Sequence, residues 1–171
     1  GKNFTPQDTL TRWIDYGADN YAGVTWSDIP ATDGRRLFIG WMSNWQYANV
    51  VPTKAWRSAT TLPREVMLNK KDQIFELKFK PATEIKSIVQ NPKNFTGVAS
   101  LESPLSLIEF TVDAGSQNFM LTLSNDKLEK VIISAADGLF SVDRTTSGIA
   151  NFSNVFPAIN KMDIRDVQIR N

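Results

Sequence analysis

The chain has 171 residues, with 42% apolar and 22% charged side chains, the proportions of one ordinary globular domain or two small ones. Lys plus Arg number 19 against 18 for Asp plus Glu, a formal net charge of +1. Electrostatics therefore gives no reason to expect nucleic acid or an anionic membrane as partner, and no apolar run approaches the roughly 18 residues of a membrane span. Cys and His are both absent, which excludes disulfides, thiolate nucleophiles, a Ser-His-Asp triad and the usual metal ligands, and leaves acid–base chemistry to Asp, Glu, Lys or Tyr.

Along the chain, the first expected strands are YAGVTWS (21–27), RLFIGWM (36–42) and WRSATTLPRE (56–65), with Asp33-Gly34 as a hairpin turn between the first two. All five tryptophans (Trp13, Trp26, Trp41, Trp45 and Trp56) and all three tyrosines (Tyr16, Tyr21 and Tyr47) lie in this early part, none beyond residue 56. That shift in composition predicts two regions meeting in PREVMLNKKDQ (63–73), whose NKKDQ reads as a turn or linker. In IFELKFK (74–80), Phe75, Leu77 and Phe79 alternate with Glu76, Lys78 and Lys80, the period of a half-buried strand. ATEIKSIV (82–89) is a short helix candidate that could equally be strand or loop. Further strands are expected at LSLIEFTVD (105–113), NFMLTLSN (118–125), LEKVIISAAD (128–137), LFSVDRT (139–145) and IRDVQIRN (164–171), separated by the turn signals NPKN, DAGS, SND and ADG. The expected fold class is all-β, an antiparallel β-sandwich or barrel, and the three early strands could be one blade of a β-propeller. The blade pattern occurs once, so the chain does not hold a whole propeller.

The early aromatics admit two readings. A sugar ring has an apolar C–H face and a rim of hydroxyls, so an indole can stack on the face while Asp, Asn or Gln bonds the rim. SNWQY (43–47) has that mixture, with Trp45 to stack and Asn44 and Gln46 to reach hydroxyls. Equally, Trp and Tyr can fill a sheet interface with their polar tips bonded to backbone. Asp15 and Asp19 flank the YGA turn. They could bind hydroxyls, act as a carboxylate pair on a glycoside, or simply cap the turn. In DRTTSG (143–148), Asp143 and Arg144 read as an exposed ion pair in a solvated turn, with Gly148 as the turn residue. Three N-x-[ST] triplets, at Asn3, Asn94 and Asn151, matter only in a eukaryotic secretory setting.

At DYGADNYAGVTW and DGRRLFIGWMSNWQYANVVPTKAWRSATTLPRE the sequence resembles glycoside hydrolase family 32, in particular its levanase and exo-inulinase branch; LKFKPATEI and DRTTSG extend the likeness more weakly into the second region. These enzymes cleave β-fructofuranosyl bonds with retention. The resemblance implies that residues 1–66 are the last blade of a five-bladed propeller and 67–171 most of a C-terminal β-sandwich. The family's nucleophile in W-x-N-D-P-N, its acid/base in E-C and its R-D-P aspartate are not in this sequence; Arg165-Asp166 is followed by Val167 instead of proline. So no catalytic residue is expected here, the chain alone is expected to be inactive, and the remaining blades are expected on another part of the same polypeptide. Asp15 matches the aspartate of the family's D-Y-G motif, which in the invertase branch reaches the sugar beyond the cleaved bond. Trp41 and Trp45, Trp45 above all, match the aromatic wall of the fructose pocket, and Asp19 and Tyr21 are expected to position the strand. The resemblance further implies a fructan or sucrose-type partner, no cofactor, no metal, and an extracellular or periplasmic location. An open blade surface would favour self-association. A non-catalytic carbohydrate-binding module, or a purely structural β-sandwich, is the alternative.

Overall fold

The computed structural model describes residues 3, 5–6, 8–9, 11–112 and 118–164. They form two antiparallel sheets, in agreement with the all-β expectation. The first contains β1 (Tyr21–Thr25), β2 (Leu37–Met42), β3 (Ala59–Thr60), β4 (Arg64–Lys71) and β5 (Ile74–Pro81), in the order β1-β2-β4-β5 with β3 also paired to β2. The register of β1 on β2 shifts between Tyr21↔Trp41 and Val24↔Ile39, a bulge at which Ala22 takes φ +49°. The bulge makes room for the Phe38 ring. A Cβ on Gly23 would overlap that ring, which is only 8% exposed and meets Phe79 edge-on at 6.4 Å.

In the boundary stretch 63–73, NKKDQ (69–73) is expected as a turn or linker, yet its first three residues belong to β4, and residue 66 lies inside that strand. Eight residue pairs, from Arg64↔Pro81 to Lys71↔Ile74, join β4 to β5. Only Asp72 and Gln73 form the turn, both at positive φ (+49° and +68°) as a two-residue primed hairpin turn requires. Polar residues such as Asn69 and Lys70 survive in β4 because the hairpin has two solvated faces: Leu68, Ile74, Phe75 and Leu77 are exposed too. Across it Lys80 pairs with Glu65 at 3.1 Å, and the Lys70 ammonium sits 5.5 Å from the Phe75 ring centre.

The helix candidate is a short 3-10 helix, Thr83–Ile88. Arg35 ties it to the long loop between β1 and β2, donating to Asp33 at 2.7 and 2.8 Å and to Glu84 at 2.7 and 3.1 Å. These bonds from Arg35 hold both carboxyls down at about 2. The expected Asp33-Gly34 turn is present as part of that longer loop, with Gly34 at φ +67° and the Pro30 carbonyl accepting from Asp33 N–H.

The second sheet is a meander of β6 (Phe119–Ser124), β7 (Lys130–Ala136), β8 (Leu139–Asp143) and β9 (Ile159–Asp163). The β7–β8 turn, Asp137-Gly138, has the same two positive φ values (+52° and +76°). Of the expected strand LSLIEFTVD, residues 105–112 carry no strand. Alternation supplies a packing face but not a hydrogen-bonded neighbour. The segment does pack over the sheet, for Phe110 meets Phe119 at 5.1 Å. Conversely β9, INKMD, lacks apolar alternation and is a strand because β8 pairs with it throughout. Of IRDVQIRN, residues 165–171, with Arg165, Asp166 and Val167, lie outside the described residues; the N–H of Ile164 donates to the Gly138 carbonyl.

The core is thin. Among the described residues only Phe38, Tyr47, Ala48, Ala82, Ala135 and Ile164 are buried apolar side chains. The accessible surface is 14110 Å², against about 8,400 Å² for a compact monomer of this length.

Candidate functional site

The loop 15–20 is built around one carboxylate. Asp15 Oδ1 accepts the Gly17 N–H at 2.9 Å, so the capping role expected of an Asp beside a tight turn is filled. Asp15 Oδ2 accepts from Arg64 at 2.5 Å and from the Asn20 amide at 3.0 Å. The same guanidinium donates to the Ile14 carbonyl at 3.2 Å. Arg64, the first residue of β4, is 49 positions away in sequence. It fixes the direction of the carboxylate and keeps it ionised. Partial burial pushes the Asp15 carboxyl up. The bonds from Arg64, Gly17 and Asn20 and the Arg64 charge outweigh this, leaving it below its ordinary value.

A second loop, 43–47, lies against the first. The Asn44 amide donates to the Ala18 carbonyl at 3.0 Å and its oxygen accepts the Gln46 N–H at 3.0 Å. Asn44 is thus engaged at both ends by backbone and joins the two loops. The Tyr47 hydroxyl donates to Asp19. Burial, this bond and the Asp19 charge push the phenol above its ordinary range, against a smaller opposing effect of Arg144. Asp15 and Asp19 therefore have separate partners, Arg64 for one and Tyr47 for the other.

Strands β1 and β2 and the 43–47 loop together carry a row of rings. Tyr21 stands opposite Trp41 across β1–β2, with ring centres 6.3 Å apart. Trp41 is 5.0 Å from Trp45, the planes tilted by 58°. Trp45 is 66% exposed and Tyr21 55% exposed, so the row ends in solvent and not in a core. Behind it, β2 is kept close to its neighbours: the Gly40 N–H donates to Thr61 Oγ1 at 2.9 Å, and a Cβ at Gly40 would overlap the Asn20 amide.

On the far side of Tyr47 lies a cavity of about 230 Å³, lined by Asp19, Met42, Tyr47, Trp56, Phe152 and Phe156. Phe152 and Phe156 belong to the segment between β8 and β9. They meet Tyr47 edge-on at 6.1 and 5.3 Å. Arg144 reaches the same place, and the expected exposed Asp143–Arg144 pair is not formed. Asp143 Oδ1 instead accepts the Thr145 N–H and hydroxyl at 2.8 and 2.7 Å, while the Arg144 guanidinium lies 4.6 Å from the Phe156 ring centre and 3.9 Å from Asp19. Gly148, at φ +111°, does turn the chain as expected. Asn3, Asn94 and Asn151 are exposed.

The structure thus brings Trp41 and Trp45 into contact and joins the Asp15 and Trp45 loops through Asn44 and Tyr47. Sequence reasoning missed Arg64, Asn20 and Tyr47 as the partners that hold the site. Nothing local to PRE or DNY signals a partner tens of residues away.

Residues 1–81 match the glycosyl hydrolases family 32 N-terminal domain. A levanase of Bacillus subtilis (strain 168) is 36% identical over 170 residues, covering 91% of this chain and 25% of the levanase. An extracellular exo-inulinase of Meyerozyma guilliermondii is 40% identical over 92 residues, 54% of this chain and 16% of that protein. Among solved structures, the exo-inulinase of Aspergillus awamori superposes with a TM-score of 0.65 at 23% identity, over 94% of this chain and 34% of that one. The chain spans a quarter or less of the length of these two curated relatives.

Proposed function

This chain belongs to glycosyl hydrolase family 32, and from that membership we propose that it serves a secreted, retaining glycosidase acting on the β-fructofuranosyl linkages of fructans or sucrose. Its part is to hold sugar and to brace the fold. The carboxylates of the W-x-N-D-P-N, R-D-P and E-C motifs, which this sequence lacks, would come from another part of the polypeptide. Trp45 and Trp41 offer an apolar face to a furanose ring, and Asp15, kept ionised by Arg64, offers a fixed acceptor to its hydroxyls. The first sheet acts as a propeller blade, and we place its end at Pro81, where the sheet and the family match both stop, instead of at residue 66. The second sheet acts as part of a sandwich. An extracellular or periplasmic location agrees with the extracellular exo-inulinase relative. The large apolar surface is where further blades would dock, and it would make the chain alone self-associate.

The observation that carries the reading is the row Tyr21–Trp41–Trp45, ordered ring against ring yet open to solvent. Titrating the chain with a fructo-oligosaccharide while following tryptophan fluorescence tests it. Saturable binding is expected, with about tenfold weaker affinity in Trp45→Ala, equivalent to ~1.4 kcal/mol. Equal binding by the variant, or none by the wild type, overturns the reading. Incubated with levan, inulin or sucrose, the chain should release no fructose, since it has neither nucleophile nor acid for the glycosidic bond; turnover would show that the chemistry resides in it after all.

A further inference from the structure

We propose that Arg144, in the second region, is a positioning residue for the sugar-contacting loops of the first, holding the Trp45 loop against the Asp15 loop through Asp19 and Tyr47. The inference rests on the reading of Trp45 and Asp15 as sugar contacts and adds to it the part played by the second sheet.

Both ends of this connection are anchored. The backbone of Arg144 is fixed at the end of β8, where its N–H donates to the Ala158 carbonyl at 2.7 Å and its carbonyl accepts from Ser147 N–H and Oγ at 3.0 and 2.8 Å. One arm of the guanidinium donates to the Pro157 carbonyl at 2.8 Å, its plane lies over Phe156, and the other arm faces Asp19 Oδ2. Asp19 Oδ1 is taken by the Tyr47 hydroxyl, so the carboxylate bridges a cation from the second region and a phenol from the Trp45 loop. Tyr47 is 3% exposed, boxed in by Phe152 and Phe156. Two residues before Asp15's partner Asn20, the Ala18 carbonyl takes the Asn44 amide. The two loops are therefore clamped twice, and the second clamp is closed from outside by Arg144.

An arginine placed here for packing alone would be a poor choice. Among the described residues its Nε is buried and without a hydrogen-bond partner, and leaving a donor in that state is costly. Its remaining contacts offset that cost only if the charge meets Asp19 and the flat face meets Phe156. Lysine has neither a planar fork nor a face to stack, so it can replace the charge but not the geometry.

Amide hydrogen exchange on the full chain tests this without depending on sugar. Arg144→Met should raise exchange at residues 15–20 and 43–47 by tenfold or more, with β7–β9 changed less than twofold. Arg144→Lys should recover part of the protection. Asp19→Asn approaches the clamp from the first region and should give the same footprint if Arg144→Met does not fold. The double variant should be no worse than the worse single one within twofold, because both break one connection. Unchanged exchange in the two loops, a rise confined to β7–β9, or additive single effects would overturn the proposal. Fructo-oligosaccharide titration is the second readout: Arg144→Met should weaken binding fivefold or more while Trp45 itself is untouched. Should the wild-type chain show a clamp by exchange but no sugar binding, the sugar reading fails and the positioning role with it, whereas the clamp itself stands.

Discussion

The two sheets use their aromatic side chains in opposite ways. In the first, Tyr21, Trp41 and Trp45 touch in sequence and the row runs out into solvent. In the second, Phe110, Phe119 and Phe140 touch in sequence, at 5.1 and 6.4 Å; Phe110 is 53% exposed, while Phe119 and Phe140 are half-buried on the sheet. The spacing of the rings is alike. What differs is the polar tip, which an indole or phenol can leave in water and a phenyl ring does not have. Contact between aromatics therefore does not by itself distinguish a core from a recognition surface, nor does one exposed ring; a polar tip that can stay in water does. A pair of truncations separates the two uses. Phe119→Ala should cost about 2–3 kcal/mol, below the full range for a buried Phe because the ring is only partly covered, and should leave fructo-oligosaccharide binding alone. Trp45→Ala should change stability by less than about 0.5 kcal/mol and act on binding instead. Urea denaturation of both variants decides the matter. A stability loss in Trp45→Ala matching that in Phe119→Ala would erase the distinction between the sheets.

The polar side of the first region gives the next largest effect. Arg64→Met removes the cation that faces Asp15 and should cost about 1–2 kcal/mol. That is less than for a fully buried pair, since the two side chains remain 23% and 29% exposed. The pH dependence identifies the cause. The folded Asp15 carboxyl lies below its unfolded value, so it contributes stability that is present above the unfolded pKa of about 3.9 and is lost as pH falls through the folded one. Wild type should thus lose more stability than Arg64→Met between pH 6 and pH 3. Asp33 and Glu84, held at about 2 by Arg35, add to acid sensitivity equally in both proteins and cancel in the difference. Parallel pH profiles for the two proteins would mean that Arg64 acts only by packing.

Much of the fold was legible because a strand's period of two and its turns are local properties. IFELKFK, NFMLTLSN, LEKVIISAAD and LFSVDRT all became β5 to β8. The misreadings share one cause, which is that a partner decides what the local pattern leaves open. NKK is expected as linker because it is polar, yet it pairs with IFE across a hairpin. INKMD has no apolar period and becomes β9 through β8, while 105–112 has the period and no pairing neighbour among the described residues. The site divides in the same way. Trp41 and Trp45 stood out as residues because their composition is unusual. Arg64, Asn20, Tyr47 and Arg144 did not, because what matters in them is the far end of a hydrogen bond. An exposed Asp143–Arg144 pair in a solvated turn is the sequence expectation, but adjacent side chains at the end of β8 point to opposite faces, and Arg144 faces Asp19 and Phe156 instead.

The smallest expected effect comes from the one feature that both sheets share. Each contains a hairpin closed by two residues at positive φ: Asp72-Gln73 in the first, Asp137-Gly138 in the second. L-residues with a Cβ are disfavoured there by about 1–2 kcal/mol each, and glycine is not. The second sheet has glycine at the latter position of its turn, and the first has glutamine at φ +68°. Replacing Gln73 by Gly relieves that clash and also widens the unfolded ensemble, which takes back part of the gain. The net expectation is a stabilisation of about 0.5–1 kcal/mol, or roughly 1–4 °C in Tm for a chain of this size. Gly138→Gln imposes the first sheet's turn on the second and should lose a comparable amount. If Gln73→Gly instead destabilises, the β4–β5 turn does not have the primed geometry that its positive φ values describe. If the two substitutions shift Tm in opposite directions by similar amounts, the hairpins are the same device built from different residues, and the contrast between the sheets is to be sought in the polar tips of their aromatic rings.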